Sequence, residues 1–144
     1  MKNIQSYSLV KEKTEIYSEK ITSSALASDY ARKFYGNDLE VYESFFALYL
    51  NQANKTIGFA KIGQGGISST VADIRLICKY AIDSLSTSVI LIHNHPSGNL
   101  IPSENDIKLT RQTDESLKNF NVKVLDHIIL SNENYYSLAD NGII

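Results

Sequence analysis

Apolar positions along the chain change their period several times, and each change marks a boundary between elements. In ALASDYARKFYG, Leu26, Tyr30 and Phe34 recur at i, i+4 and i+8. That spacing places them on one helical face, with Thr22, Ser23 and Ser24 as candidate caps and Gly36 as a stop, so a helix is expected over residues 22–35. Ile74, Ile77, Cys78, Ala81, Ile82 and Leu85 again follow helical spacing, after the glycine and Ser/Thr run GQGGISST. They predict a buried amphipathic helix over residues 72–85 with a Ser/Thr cap. A third helix, over residues 103–119, is rich in both signs of charge and keeps Ile107, Leu109, Leu117 and Phe120 for packing, so most of it should face water.

Between the helices the pattern is extended. Residues 44–50 and 56–62 are aromatic and aliphatic runs bracketing the turn-like NQANK, which predicts a hairpin. Residues 88–92 form a compact apolar run of the kind found in interior strands, ending directly in His93-Asn94-His95. A further strand is expected over residues 122–130, followed by the aromatic tail YYSLADNGII. Residues 4–10 and 14–17 alternate weakly and are read as short extended pieces. The order makes a mixed α/β domain, with a helix in the connection from the second main strand to the third, as in a parallel crossover.

At 144 residues the chain suits one domain with its own core, and 43% hydrophobic with 21% charged residues places it in the globular class. A formal charge of −2 and a pI near 5.9 argue against a surface built on nucleic-acid phosphates, and leave direct nucleic-acid binding to a local basic patch. The amino terminus has no apolar signal core and FFALYL is the longest apolar run, so neither a secretory leader nor a membrane span is expected and the protein is read as cytoplasmic. Cys78, the only cysteine, cannot form an intrachain disulfide and reads as a small buried core thiol. Gly63, Gly65 and Gly66 fit no phosphate-binding pattern and read as a loop before a helix.

Two histidines at i and i+2 on an extended chain point to one face, so His93 and His95 can aim both imidazoles at a single point, and Pro96 biases His95 toward extended backbone. Seven residues later comes Ser103, and three beyond it Asp106, on the first turn of the expected helix and after a loop long enough to fold back. Two imidazoles and a carboxylate form a three-ligand set of the kind catalytic zinc uses, with the fourth position left to water. Average residue usage gives this four-position pattern a chance occurrence on the order of a few in ten thousand, so it is taken as a site.

HNHPSGNLIPSEND resembles the signature of the JAMM (JAB/MPN) metalloprotease superfamily, and in particular its RadC-like branch. The branch resemblance extends over ESFFALYLNQANKTIG, VILIHNHPSG, PSENDIKLT and LDHIIL with YYSLADNG, about residues 40–142. It implies a single cytidine-deaminase-like α/β domain, a curved mixed sheet flanked by helices, with residues 1–36 as a variable extension and first helix and residues 37–144 as the core. It further implies that His93, His95 and Asp106 ligate Zn2+, that Ser103 hydrogen-bonds near the attacking water or the developing oxyanion, and that Glu43 is the general acid/base. Where RadC-like chains often open the central helix with Pro-Arg-Glu, this one has Asp73-Ile74-Arg75. Full-length members also carry a helix-hairpin-helix segment, for which the region before Tyr42 is too short and lacks the glycine hairpins, which weakens any inference to DNA binding.

Each residue also has an ordinary reading. Ser103 with Asp106 is S-x-x-D, a near relative of the capping box, and one carboxylate is not expected both to cap and to ligate, so the paired histidines favour ligation. Glu43 would otherwise be an exposed strand-end charge, and Asp38 and Glu40 are rival bases. His127 follows Asp126 in an apolar strand and reads as a hydrogen-bonded group behind the ligands rather than a fourth ligand. The leading expectation is zinc-dependent hydrolysis of a peptide or isopeptide bond in a protein or peptide substrate. The others are a DNA-repair-associated or protein-binding module of the RadC type and a hydrolase of non-peptide amides. A monomer and a homodimer are both compatible with the pattern.

Overall fold

The computed structural model describes residues 1–65 and 72–144. Its elements are α1 (Ser24–Arg32), β1 (Ser44–Leu50), β2 (Thr56–Gln64), α2 (Ile74–Asp83), β3 (Ser88–Asn94), α3 (Glu104–Lys118), β4 (Lys123–Leu130) and β5 (Tyr135–Ser137). The strands form one mixed sheet in the order β2-β1-β3-β4-β5. β1 runs antiparallel to both β2 and β3, β3 and β4 are parallel, and β5 returns antiparallel to β4. α3 is therefore the crossover between adjacent parallel strands, whereas the α2 crossover skips over β1.

Side-chain alternation divides the core between the two faces of the sheet. Phe46, Leu48 and Leu50 of β1, Ile90 and Ile92 of β3 and Ile128 and Leu130 of β4 pack with Ala27, Tyr30 and Ala31 of α1. Phe45, Ala47 and Tyr49, with Val89, Leu91 and Val124, pack with Ile77 and Ala81 of α2 and Leu117 of α3. Both central strands are buried along their whole length, which explains the unbroken apolar run FFALYL: a strand covered by helices on both sides has no polar face.

Local chemistry sets the boundaries. Ser23 caps α1 by accepting from the Leu26 N–H, and Gly36 adopts a left-handed φ of 55° in the turns beyond it. In the hairpin, Asn51 Oδ1 accepts from the N–H groups of Ala53 and Lys55, and Asn54 takes a φ of 58°. The cap of α2 is Asp73, which accepts from Arg75 N; the Ser/Thr run expected to supply it, and Gly66, lie at residues 66–71, outside the described residues.

Several apolar side chains are not where their periodicity placed them. Leu26 faces solvent, so the packing face of α1 is Ala27, Tyr30 and Ala31. Leu85 lies beyond the Ser84 C-cap at a φ of 53°, where the chain has left the helical stripe, and it is exposed; Ile82 is also exposed. Phe120 is exposed past the end of α3, while Thr110 and Thr113 are buried. Each of these hydroxyls donates to the carbonyl four residues back, at 2.7 and 2.8 Å, and so enters the core with its proton satisfied. Cys78 is half-buried against the α2 side of the core, and burial raises its pKa.

The extended pieces expected at residues 4–10 and 14–17 form no strand. Residues 1–15 are exposed, and pairing begins only at Lys20, bridged to Lys55. Of those residues only Ile16 packs against the core, on the α1 side, and weak alternation gave the rest no apolar face to bury. β5 went unanticipated because three residues carry no readable period.

Candidate metal centre

The site lies where three elements meet at the carboxyl end of β3. His93 is the penultimate residue of β3, and the His95 N–H still donates to Leu130 O at 2.8 Å, which extends the parallel pairing with β4. Both rings therefore face the α2/α3 side of the sheet, with their Nε2 atoms 2.9 Å apart. The chain then turns through Gly98, at a φ of 85°, and enters α3 at the same end, which brings Asp106 on the first helical turn to the histidines. Antiparallel pairing sets Phe45 opposite His93, so Glu43, just before β1, arrives beside His95.

Two carboxylates flank the paired imidazoles. Asp106 Oδ1 lies 3.5 Å from His93 Nε2, Asp106 Oδ2 lies 3.9 Å from His95 Nε2, and Glu43 Oε1 lies 3.6 Å from His95 Nε2. One donor atom each from Glu43, His93 and His95 lies within 4.8 Å of the others, a grouping able to hold a metal ion. His93 is sealed from solvent, with 1% of its side chain exposed, whereas His95, Asp106 and Glu43 retain 17, 18 and 13%, so the cluster opens on their side. Burial holds the His93 imidazole down at about 4, against the opposing pull of the Asp106 charge.

Asp106 caps α3 and faces His93 through different oxygens. Oδ2 accepts from the Ser103 N–H at 2.8 Å while the Asp106 N–H donates to Ser103 Oγ at 3.1 Å, a complete capping box. Oδ1 is left facing His93. Capping thus fixes the carboxylate beside the paired histidines. Ser103 is the N-cap of α3, and its hydroxyl, engaged as an acceptor, still carries a proton to donate.

Proton bookkeeping around the rings shows what the donor set requires. The Asn99 carbonyl accepts from His95 Nδ1. On the other side, His93 Nδ1 meets His127 Nε2 at 2.7 Å, His127 Nδ1 meets Thr110 Oγ1 at 2.6 Å, and the Thr110 hydroxyl donates to Asp106 O at 2.7 Å. The chain of contacts begins and ends on carbonyl oxygens, which have no proton to give, and each neutral group between them, Thr110, His127, His93 and His95, has one. Contacts outnumber protons by one. With Thr110 donating to Asp106 O, the deficit falls where two bare Nε2 lone pairs face each other beside two carboxylates. A cation fits there, and these residues are the donors zinc takes.

Two further residues escaped the sequence reading. Asn94, fully buried, points to the opposite face from its histidine neighbours; its Oδ1 accepts from Ser44 N at 2.8 Å and its Nδ2 donates to Leu39 O and Tyr42 O, both at 2.7 Å. It ties down the backbone on both sides of Glu43. Tyr35 donates to Ser44 O at 3.0 Å, and its hydroxyl pKa is raised by burial and then by the nearby Glu43 charge. The period-two rule could have flagged Asn94 as inward-facing on the α1 side; nothing local could have flagged Thr110. His127 is buried and hydrogen-bonded behind His93, with burial holding its pKa well below the ordinary value.

Among the described residues, no helix is long and apolar enough to cross a membrane. Relatives with the name UPF0758 protein align over much of the chain. One from Flavobacterium johnsoniae is 40% identical over 125 residues, covering 87% of this chain and 54% of the relative. One from Porphyromonas gingivalis is 40% identical over 103 residues, covering 71 and 45%, and one from Streptococcus sanguinis is 42% identical over 98 residues, covering 68 and 43%. The chain spans about half the length of these curated relatives. A family model described as the RadC-like JAB domain matches residues 21–143, taking in α1, the whole sheet and the histidine and carboxylate cluster, and with that match the chain belongs to the RadC-like JAB domain family.

Proposed function

We propose that this domain is a zinc-dependent hydrolase of peptide or isopeptide bonds, in which His93, His95 and Asp106 hold the metal and Glu43 is the general acid/base. The observation that carries the reading is the approach of His93 Nε2 and His95 Nε2 to 2.9 Å, flanked by the carboxylates of Asp106 and Glu43, a contact that the count of ring protons leaves without one. Zinc bound there would supply Lewis acidity and bring a water molecule to a pKa of roughly 7.

The two carboxylates divide the work by how each is held. Asp106 is anchored through Oδ2 by the cap, so Oδ1 presents a fixed lone pair to the cation. Glu43 sits on the solvent-open side near His95, where its carboxylate takes a proton from the attacking water and returns it to the departing amine, as amide hydrolysis requires of one group. Ser103, at the start of α3, donates its hydroxyl proton toward the developing oxyanion. The partial exposure of every member of the cluster except His93 suits a catalytic site with an open coordination position, since structural zinc sites are closed.

Protein purified without chelator or added metal is expected to contain zinc, to gain thermal stability on adding more to stripped protein, and to cleave peptide or isopeptide substrates. Wild-type protein that takes up no zinc would remove the reading. Zinc uptake with cleavage of small amides alone would redirect it to a non-peptide hydrolase, and salt-dependent DNA binding without cleavage would favour the DNA-associated module.

A further inference from the structure

We infer that Thr110, acting through His127, is a positioning residue that directs the ring proton of His93 away from the metal-binding side. The inference deepens the zinc reading above and rests on it. Thr110 is fully buried on α3, one helical turn beyond Asp106, and His127 is fully buried on β4, opposite Leu91 in the pairing with β3. Neither touches the open side of the cluster.

The argument is one of direction. Thr110 has a single hydroxyl proton, and its oxygen lies 2.7 Å from Asp106 O and 2.6 Å from His127 Nδ1. The carbonyl can only accept, so both short contacts are hydrogen bonds only when the hydroxyl proton goes to the carbonyl and the hydroxyl oxygen accepts from His127 Nδ1–H. His127 Nε2 is then a lone pair, and across 2.7 Å it accepts from His93 Nδ1–H. His93 Nε2 is left bare, as a metal ligand must be. Metal-binding histidines commonly donate their second nitrogen to a carboxylate, carbonyl or water. Here the acceptor is another imidazole, which could equally present a proton, and Thr110 settles which nitrogen of that imidazole does so.

Remove the hydroxyl and the preference reverses. With valine at position 110, His127 Nδ1–H would face a methyl group in a dry core, so the proton is better placed on Nε2. It then donates to His93 Nδ1, whose own proton moves to Nε2 and donates to the bare His95 Nε2 at 2.9 Å. Every remaining ring contact has its proton, the need for a cation disappears, and zinc must displace a satisfied hydrogen bond to enter.

The chain holds three histidines, so the ring tautomers of the metal-free full chain are readable by long-range nitrogen–proton NMR correlations on isotope-labelled histidine. Wild type is expected to show His93 and His127 protonated at Nδ1. Thr110→Val is expected to move the His93 proton to Nε2 and to weaken zinc binding by about 10- to 100-fold, measured by competition with a chromophoric chelator, while Thr110→Ser restores both. A residue serving only to fill the core would change thermal stability and leave the tautomer and zinc affinity alone. A wild-type His93 protonated at Nε2, or a folded Thr110→Val that binds zinc as tightly as wild type, overturns the inference. If Thr110→Val does not fold, the wild-type tautomers decide alone. Wild type that shows the expected tautomers but takes up no zinc would remove the metal reading and leave the proton direction standing.

Discussion

The Asn94 side chain reaches from the middle of the histidine pair to accept the Ser44 N–H at 2.8 Å, and so couples the strand that carries the imidazoles to the residue next to Glu43. Its amide nitrogen holds Leu39 O and Tyr42 O as well. One buried carboxamide thereby closes the loop that carries Glu43, from the strand that carries the paired histidines. Neighbouring bonds finish the work, with Gly65 N donating to Glu43 O at 2.9 Å and Tyr35 to Ser44 O.

Replacing Asn94 should therefore separate turnover from metal binding. Asn94→Ala leaves the buried Ser44 N–H unpaired and takes a donor from two part-buried carbonyls, a loss on the order of 2 kcal/mol in urea unfolding. The folded fraction should still bind zinc, because His93, His95 and Asp106 are held by other bonds, but its kcat should fall with the displacement of Glu43. Asn94→Asp should be worse in both respects, since a carboxylate would face two carbonyl oxygens. Unchanged turnover in a folded Asn94→Ala would show that the loop keeps its place without the clamp.

The two carboxylates lie at nearly equal distances from the imidazoles, 3.5 Å for Asp106 and 3.6 Å for Glu43, so their roles are separated by chemistry. Glu43→Gln should keep stoichiometric zinc and lose roughly 10²- to 10⁴-fold in turnover, the usual worth of a positioned general base. Asp106→Asn can still cap α3 through its side-chain oxygen but should lose zinc. Metal content by atomic spectroscopy on both variants makes the test, and the opposite pattern would make Glu43 the ligand and Asp106 the base.

Which parts of this were legible in the sequence follows from how local each cause is. The helices and main strands rest on short-range period and capping, so their ends were placed within a residue or two, apart from the last turn of the first helix, where Lys33 closes α1 ahead of Gly36. The histidines and Asp106 were legible because the βα connection keeps them within fourteen positions of one another in the chain. Glu43 came only through resemblance, because its place beside His95 depends on the register of β1 against β3, which no local pattern encodes. Thr110 stayed hidden for a different reason: a hydroxyl bonded within its own helix makes a polar residue fit the core, and a count of apolar positions passes over it.

Gly98 tests how tightly the loop between the ligands is drawn. A Cβ there would meet nothing within 4 Å, so crowding is not the issue; its φ of 85° is. Gly98→Ala should cost about 1 to 2 kcal/mol in strain or shift the turn, and the turn carries Asn99, whose carbonyl accepts from His95 Nδ1. Weakened zinc binding alongside the lost stability would show that the shift reaches His95. Lost stability with unchanged zinc affinity would show that the loop absorbs it.

The buried histidines give the metal-free protein an acid limit whose sign can be worked out. His93 is held at about 4 against an ordinary 6.5, by burial first, and His127 is held low for the same reason. A base with a depressed folded pKa is protonated more readily in the unfolded chain, so the unfolded state binds more protons as the pH falls. Stability is full above about 6.5 and declines between there and 4, by roughly 3 kcal/mol for His93 alone, with His127 adding in the same direction. Urea midpoints of zinc-stripped protein measured from pH 7.5 to about 4.5 should fall steadily below 6.5. Asp126, whose carboxyl burial holds above its ordinary value, contributes with the opposite sign as the pH falls, so a profile flat between 6.5 and 5 in both the native chain and Asp126→Asn would mean that the paired rings are solvated, and the lone-pair conflict that calls for a cation would be relieved by water.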